Sequence, residues 1–501
     1  MASLADGQQT HGEKAEHKHD KDEKANEEKS EAIKVDAELT PSITLDEHEN
    51  PKNWTLARKW KAVFAISSFV LMSPLSSTIV APGLEIISTD LNITTPAEQT
   101  MVVSIFVLGF AFGPLIASPL SEIYGRVRVV QSWNLLYLIF NTGCGAANSK
   151  ETLLVLRFIS GFFGSATLGI GGGTLSDLFT ADDRGKAVAI YSLAPLVGPV
   201  LGPIMGGLIA QHAHWSWVFY SASILDAVVQ LLGILFLEET YAPVLLRRKQ
   251  ARLQITPAVT MVQAIRQVRD RLSANLGRAI RLLLTQPIVQ VLALYNAFLY
   301  GIIFILYATF PELWTEIYHQ STSIAGLHYI SMAVGTAFAS EVCTHINDRI
   351  FASLKKKNGG TTKPEFRIPI MAPATVLLSV GLFWYGWSAQ KKLHWIMPDI
   401  GSAFFMAGAV VCGICVNAYI IDTYGKYSAS ALAAVAILRS LAAFAFPLFA
   451  PYVYIALGYG WTGSLLGFCG LGIGLPAVLL LWKFGKALRR QSPFAANKED
   501  D

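Results

Sequence analysis

The chain has 501 residues, of which 52% are hydrophobic and only 15% charged, with a formal net charge of +4 at pH 7. Soluble domains carry roughly 25% charged residues, and here many of the charges sit in the first fifty positions. That composition excludes an ordinary soluble globular protein, and the near-balanced charge of the N-terminal stretch argues against a nucleic-acid-binding arm.

From Lys14 to Lys34 the chain mixes Lys, Glu, Asp and His with almost nothing apolar. It reads as a solvated cytoplasmic tail over 1–58, not a signal peptide, so membrane targeting falls to the first span. Apolar runs near the roughly 20 residues that cross a bilayer follow at 61–82, 100–120, 129–147, 153–176, 187–210 and 216–237. A polar, basic connector occupies 238–287. Within it, Arg266 to Arg281 interleaves arginine with apolar residues, as a helix lying on an anionic membrane surface would. Six more runs lie at 288–310, 323–344, 368–388, 396–421, 431–453 and 462–483, before a polar tail at 485–501. The expected fold is all-α integral membrane, with twelve transmembrane helices in two six-helix lobes, 59–237 and 288–484.

The placement of Lys and Arg tests this count. Arg126, Arg128, Arg184, Lys186, Arg247, Arg248, Lys249, Arg349, Lys355, Lys356, Lys357, Lys363, Lys426, Lys483, Lys486, Arg489 and Arg490 all fall in loops on one side, against Lys150, Lys391 and Lys392 on the other. The basic side faces the cytoplasm by the positive-inside rule, which puts both termini inside. The sequon at Asn92 then lies outside and is the expected glycosylation site, whereas Asn53 lies inside. Trp54, Trp60, Trp215, Trp217, Trp395 and Trp461 gather at span boundaries as an aromatic belt. The five cysteines, Cys144, Cys343, Cys412, Cys415 and Cys469, fall in apolar runs, which argues against a disulfide framework or a metal site.

Several segments carry a resemblance. Ser118-Pro119-Leu120-Ser121-Glu122-Ile123-Tyr124-Gly125-Arg126, between the second and third spans, resembles the signature loop of the major facilitator superfamily, with Ser118 where the wider family has Gly and Glu122 where it most often has Asp. Leu153 to Gly161 is similar to its buried-arginine motif around Arg157. In the fifth span Gly198, Gly202, Pro203, Gly206 and Gly207 resemble the Gly-Pro motif of the drug:proton antiporter branch, with Ala189 where the longer form has Gly. Asn50-Pro51-Lys52-Asn53-Trp54, Glu239-Thr240-Tyr241, Pro364-Glu365-Phe366-Arg367 and Asp422-Thr423-Tyr424 follow in the order and spacing of the fungal twelve-span drug:proton antiporters. The resemblance implies a major facilitator fold that exports small organic molecules against protons by alternating access. It implies no enzyme activity and no cofactor beyond the proton gradient. The expected setting is a monomer in the lipid bilayer of the plasma or vacuolar membrane.

Charged residues at membrane depth cost roughly 2.5–3.5 kcal/mol each on insertion scales, so the few present carry weight. Arg157 matches the family's proton-coupling arginine; its bland alternative is a clamp between helices. Arg439 fits a cavity or a brace equally. Asp226, the one carboxylate near the middle of an expected span, fits a proton carrier or a hydrogen-bonded structural acid. Glu122, Gly125, Arg126, Asp348 and Arg349 form the expected cytoplasmic gating loops, their acids and bases pairing in one state and separating in the other. Tyr295, Asn296, Phe298, Tyr300, Asn417 and Arg439 are the expected cavity residues, although aromatic rows at helical spacing more often serve packing. Together they suit neutral, anionic or weakly basic aromatic cargo. A polyamine would need several buried carboxylates. No G-x-x-x-x-G-K-[ST] segment is present for coupling to ATP. A nutrient symporter or facilitator, or a sensor that binds without moving its ligand, remains as the alternative reading.

Overall fold

The computed structural model describes residues 45–180, 183–253 and 261–495. Most of the expected N-terminal tail, part of the connector and the last six residues lie outside these. Every regular element described is helical. Nine helices among the described residues are long and apolar enough to cross a membrane. One of them, Ser428–Gln491, is two spans joined where Gly458 takes a left-handed conformation at φ 71°. Two more spans are long enough but too polar to register by composition alone.

The spans run in order: α1 Leu56–Thr78, α2 Pro96–Tyr124, α3 Arg126–Gly145, α4 Lys150–Leu178, α5 Arg184–His212 and α6 Ser216–Phe236. After the connector come α7 Pro287–Glu312, α8 Tyr329–Lys357, α9 Met371–Gln390, α10 Ile396–Tyr424, α11 at 428–457 and α12 at 459–491. The two polar spans are α3, which carries Gln131, Asn134 and Asn141, and α8, whose far end carries Asn347, Asp348 and Arg349. Twelve spans in two sets of six result, as the hydropathy pattern suggested.

The first helix of each lobe is the most enclosed. The apolar windows of α1 and α7 are each 78% buried, whereas that of α6 is 39% buried. The lobes touch on the side away from the connector, where the first half of α2 packs on the chain of α11 and α12 and the end of α5 meets the turn Thr322–Leu327 that leads into α8. On the connector side, the helix Met261–Thr285 bridges the second half of α2 to the chain of α11 and α12. This helix was expected to lie on lipid. Its Ala279 and Leu282 are instead fully buried in the C-terminal lobe, with Arg278 over the Tyr427 ring at 5.4 Å and Arg281 over Phe494 at 5.6 Å.

Candidate functional site

The buried interior of the first lobe is built around Arg157 on α4, which is fully buried. Its guanidinium donates to the backbone oxygens of Val102 at 3.1 Å, Ser76 at 3.0 Å and Ser77 at 3.4 Å. Helix α1 stops at Thr78, so the Ser76 and Ser77 carbonyls belong to its last turn, where helix oxygens lack intrahelical partners and the helix end is negative. No carboxylate forms an ion pair with this cation among the described residues. A helix terminus and the faces of Phe106 at 4.6 Å and Phe219 at 5.7 Å compensate its charge instead.

A polar track leads away from Arg157. The Ser76 hydroxyl forms a short hydrogen bond with the Tyr137 hydroxyl. One turn earlier on α3, Asn134 donates to both oxygens of Asp226, at 3.1 and 3.0 Å, and to Gln230 Oε1 at 3.0 Å. Asn134, Tyr137 and Asn141 are spaced to share one face of α3, which explains why this span is polar yet buried. Asp226 lies between α3 and α6, away from the seam between the lobes. It is fully buried and forms no ion pair among the described residues.

The Gly-Pro segment of α5 is a backbone-to-backbone seam. A Cβ on Gly202 would stand 2.4 Å from Leu75 O, and one on Gly206 only 1.8 Å from Ile79 O. Pro203 leaves the Pro199 carbonyl without its helical amide, and Thr78 Oγ1 donates to that oxygen at 3.1 Å. One turn on, the seam reaches the other lobe: a Cβ on Gly207 would sit 2.7 Å from Thr322 O, and one on Gly326 only 2.5 Å from Pro203 O. The Ser323 amide donates to Gln211 Oε1 at 3.0 Å, and its hydroxyl to Gly207 O at 3.3 Å. This seals the side away from the connector.

On the connector side, Gly125 has φ 105°, and a Cβ there would lie 2.1 Å from Glu239 Oε2. That carboxylate accepts from the Arg126 amide at 2.9 Å. The Arg126 side chain donates to Asp177 at 3.3 Å and to Ser121 Oγ at 2.7 Å, and lies 4.7 Å from the Tyr241 ring. Glu122 contributes its backbone oxygen to Arg247 at 3.3 Å, and Ser118 faces Gly169 of α4. In the second lobe Arg367 pairs with Asp422 at 3.1 Å and with exposed Asp348 at 3.6 Å, while Arg489 and Glu365 form a buried two-point pair at 2.9 and 3.1 Å. Arg349 is exposed and forms no ion pair among the described residues. Sequence reading singled out the loops but missed the partners Asp177 and Arg489.

The expected cavity residues divide. Tyr300 and Arg439 meet at mid-depth, the guanidinium donating to the hydroxyl at 3.4 Å and lying 4.5 Å from the ring centre. Asn417 is half-buried on α10, and Asn296 is buried with an unpartnered Oδ1. Tyr295 and Phe298 are buried against neighbouring helices. The Tyr295 hydroxyl bonds Thr375 of α9 at 2.8 Å, Thr375 and the Tyr295 ring together leave no room for a Cβ on Gly474 of α12, and Phe298 packs edge-on against Phe446. Both lie inside the lobe because α7 is enclosed on nearly every side.

The profile of the Major Facilitator Superfamily matches residues 66–447, most of both lobes. The chain belongs to this superfamily. Among curated relatives it is 44% identical over 468 residues to "Efflux pump vrtL" of Penicillium aethiopicum, covering 92% of this chain and 93% of the pump. It is 40% identical over 458 residues to "MFS-type transporter oryF" of Aspergillus oryzae, covering 90% and 95%. Among solved structures, the xylose transporter XylE from E. coli, in a partially occluded inward open conformation, superposes with a TM-score of 0.62 at 15% identity over 85% of this chain and 99% of XylE. The chain is thus a multi-pass membrane transporter of the major facilitator fold.

Proposed function

We propose that the protein exports small organic molecules from the cytoplasm in exchange for protons, by alternating access. The observation that carries the reading is the α5 seam. Glycines and prolines there press α5 onto α1 and onto the turn before α8, without side chains between backbones. Such contact excludes water on the side away from the connector, and parting it requires the lobes to move as bodies. The Lys/Arg bias assigns the connector side to the cytoplasm, so cargo loads from there. The relative named as an efflux pump supports the outward direction.

In this reading Arg157 is the coupling residue. Its cation is held by neutral groups that belong to α1, α2 and α6, so a rearrangement of any of these helices changes how well the charge is satisfied. Ser76 joins it to Tyr137, which stands one turn from Asn134, the partner of Asp226. Cargo is neutral, anionic or weakly basic and aromatic, since Arg439 and Tyr300 offer positive charge and a ring face. The protein acts as a monomer in the plasma membrane, with Asn92, exposed at φ 54° in the turn before α2, as its outer glycan site. Yeast lacking its own exporters and expressing the chain should resist planar aromatic toxins and retain less of them. Loss of that resistance on collapsing the proton gradient supports the exchange, and resistance that persists without a gradient counts against it.

A further inference from the structure

A cavity of about 420 Å³ opens beside the sealed end of the second lobe, lined by Gln320, Ile324, Leu327, His328, Ile330, Ser331, Trp395, Ile396 and Asp399. It has two kinds of wall. Ile324, Leu327, Ile330, Trp395 and Ile396 are 39–46% exposed at the outer ends of their spans, where a transporter meets lipid. Behind them stands a buried polar chain. His328 Nδ1 bonds Asp399 Oδ2 at 2.7 Å, His328 Nε2 bonds Gln320 Oε1 at 2.7 Å, and Trp314 stacks on the imidazole with centroids 3.6 Å apart. Asp399 is over nine-tenths buried, and its Oδ1 makes no hydrogen bond. The neighbouring Ser331 hydroxyl is turned to the His328 carbonyl and to Ser402 Oγ, each at 2.7 Å.

A bare carboxylate oxygen in an apolar wall calls for a hydrogen-bond donor, preferably a charged one. We propose that this groove binds an aminophospholipid of the leaflet on the side away from the connector, its primary ammonium on Asp399 and its chain along Ile324, Leu327 and Ile330. A quaternary choline head carries charge but no N–H, so it leaves Oδ1 unsatisfied. A serine head adds a carboxylate that opposes Asp399. The site therefore selects ethanolamine lipid. Because Thr322–Leu327 also forms the lobe-to-lobe seal, the bound lipid braces the closed side.

The test uses the full-length protein in nanodiscs of choline lipid containing a minor fraction of ethanolamine lipid, with retained lipid counted by mass spectrometry after delipidation. The wild type is expected to keep ethanolamine over choline lipid roughly tenfold, the scale of one charge-assisted hydrogen bond. Asp399→Asn should bring the two to parity. Ile330→Trp, which fills the groove without touching the polar pair, should lose the bound lipid altogether, and it serves as the test if the Asp399 variant does not fold. Equal retention of both lipids by the wild type, or an ethanolamine preference that survives both variants, overturns the proposal. So does displacement of the lipid by a weakly basic aromatic cargo at equal concentration, which would assign the groove to cargo.

Discussion

The two lobes share a helix plan and differ in what fills them. In the first, three buried hydrogen-bonded groups lie close together: Arg157 with Ser76 and Tyr137, Asn134 with Asp226, and Asn141 with Ser223. In the second, the matching interior is aromatic: Phe310 packs between Tyr329, Tyr385 and Trp314 at centroid distances of 5.0 to 6.0 Å. Polar groups at membrane depth are costly, so a concentration of them marks a place where charge is handled. These rings pack on one another in the core, and the half-buried Tyr300–Arg439 pair is what this lobe offers an organic guest. On the proposed function, the first lobe handles protons and the second accommodates cargo.

Substitutions that cross this division sharpen it. The largest effect is expected from Arg157→Ala, which strips three carbonyls of their shared donor. Gradient-driven export should fall roughly hundredfold or more, with stability lowered by about 3 kcal/mol. Arg157→Lys should still insert and fold yet lose most transport, because a point charge does not replace a planar fork. In the second lobe, Arg439→Lys should alter the apparent affinity for cargo more than the dependence on pH. Initial rates in vesicles at several pH values and cargo concentrations separate the two.

Next in size is the seam that joins the lobes. Gly326→Ala places a Cβ 2.5 Å from Pro203 O, and only separation of α5 from the turn before α8 relieves that contact. An impermeant thiol reagent applied outside should then label a cysteine at Ser323 roughly tenfold faster than in the Gly326 parent, by the logic of a shifted two-state equilibrium. Unchanged labelling would mean that this contact does not hold the seal.

The connector-side clusters give a smaller and asymmetric pair. Asp177→Asn removes the carboxylate from a half-buried Arg126 cluster and should lower Tm measurably. Asp348→Asn should change little, since Asp348 is 71% exposed and Arg367 keeps Asp422.

Smallest is a pH effect at the surface. Lys249 bonds Asp46 and Glu49 at 2.9 Å each, and this holds both carboxyls below their usual range. Depressed carboxyls give a contribution that is present above their unfolded pKa, about 4, and lost as pH falls through the folded values. Amide protection over 46–50, the exchange rate measured against the intrinsic rate at each pH, should therefore be high near neutrality and low in acid, and low at every pH in Lys249→Met.

Much of this was legible in the sequence, and the reasons are physical. Spans announce themselves because lipid requires long apolar helices, and the basic loops confirm their number. Gly202 and Gly206 could be read as close-packing residues because only glycine allows two membrane backbones to touch. What stayed hidden depends on helices far apart in sequence. Asp399 and His328 sit at the first turns of two spans, where a polar residue looks like ordinary boundary composition. Asp177 falls just past the expected end of α4, and nothing local announces that Arg126 reaches it. The packing of Tyr295 on Thr375 was hidden for a related reason, since an aromatic on a central helix looks the same in sequence whether it faces a cavity or a neighbouring helix.

Exchange of cargo for protons through Arg157 can be followed in acid-loaded inside-out vesicles. The connector face is then outside, and both proton efflux and uptake of a planar aromatic compound can be followed together. Uptake into the acidic lumen should be coupled to proton exit, both absent in Arg157→Ala, with spermine scarcely moved. Cargo travelling with the protons, equal uptake without a gradient, or robust spermine transport that survives Asp226→Asn would contradict it.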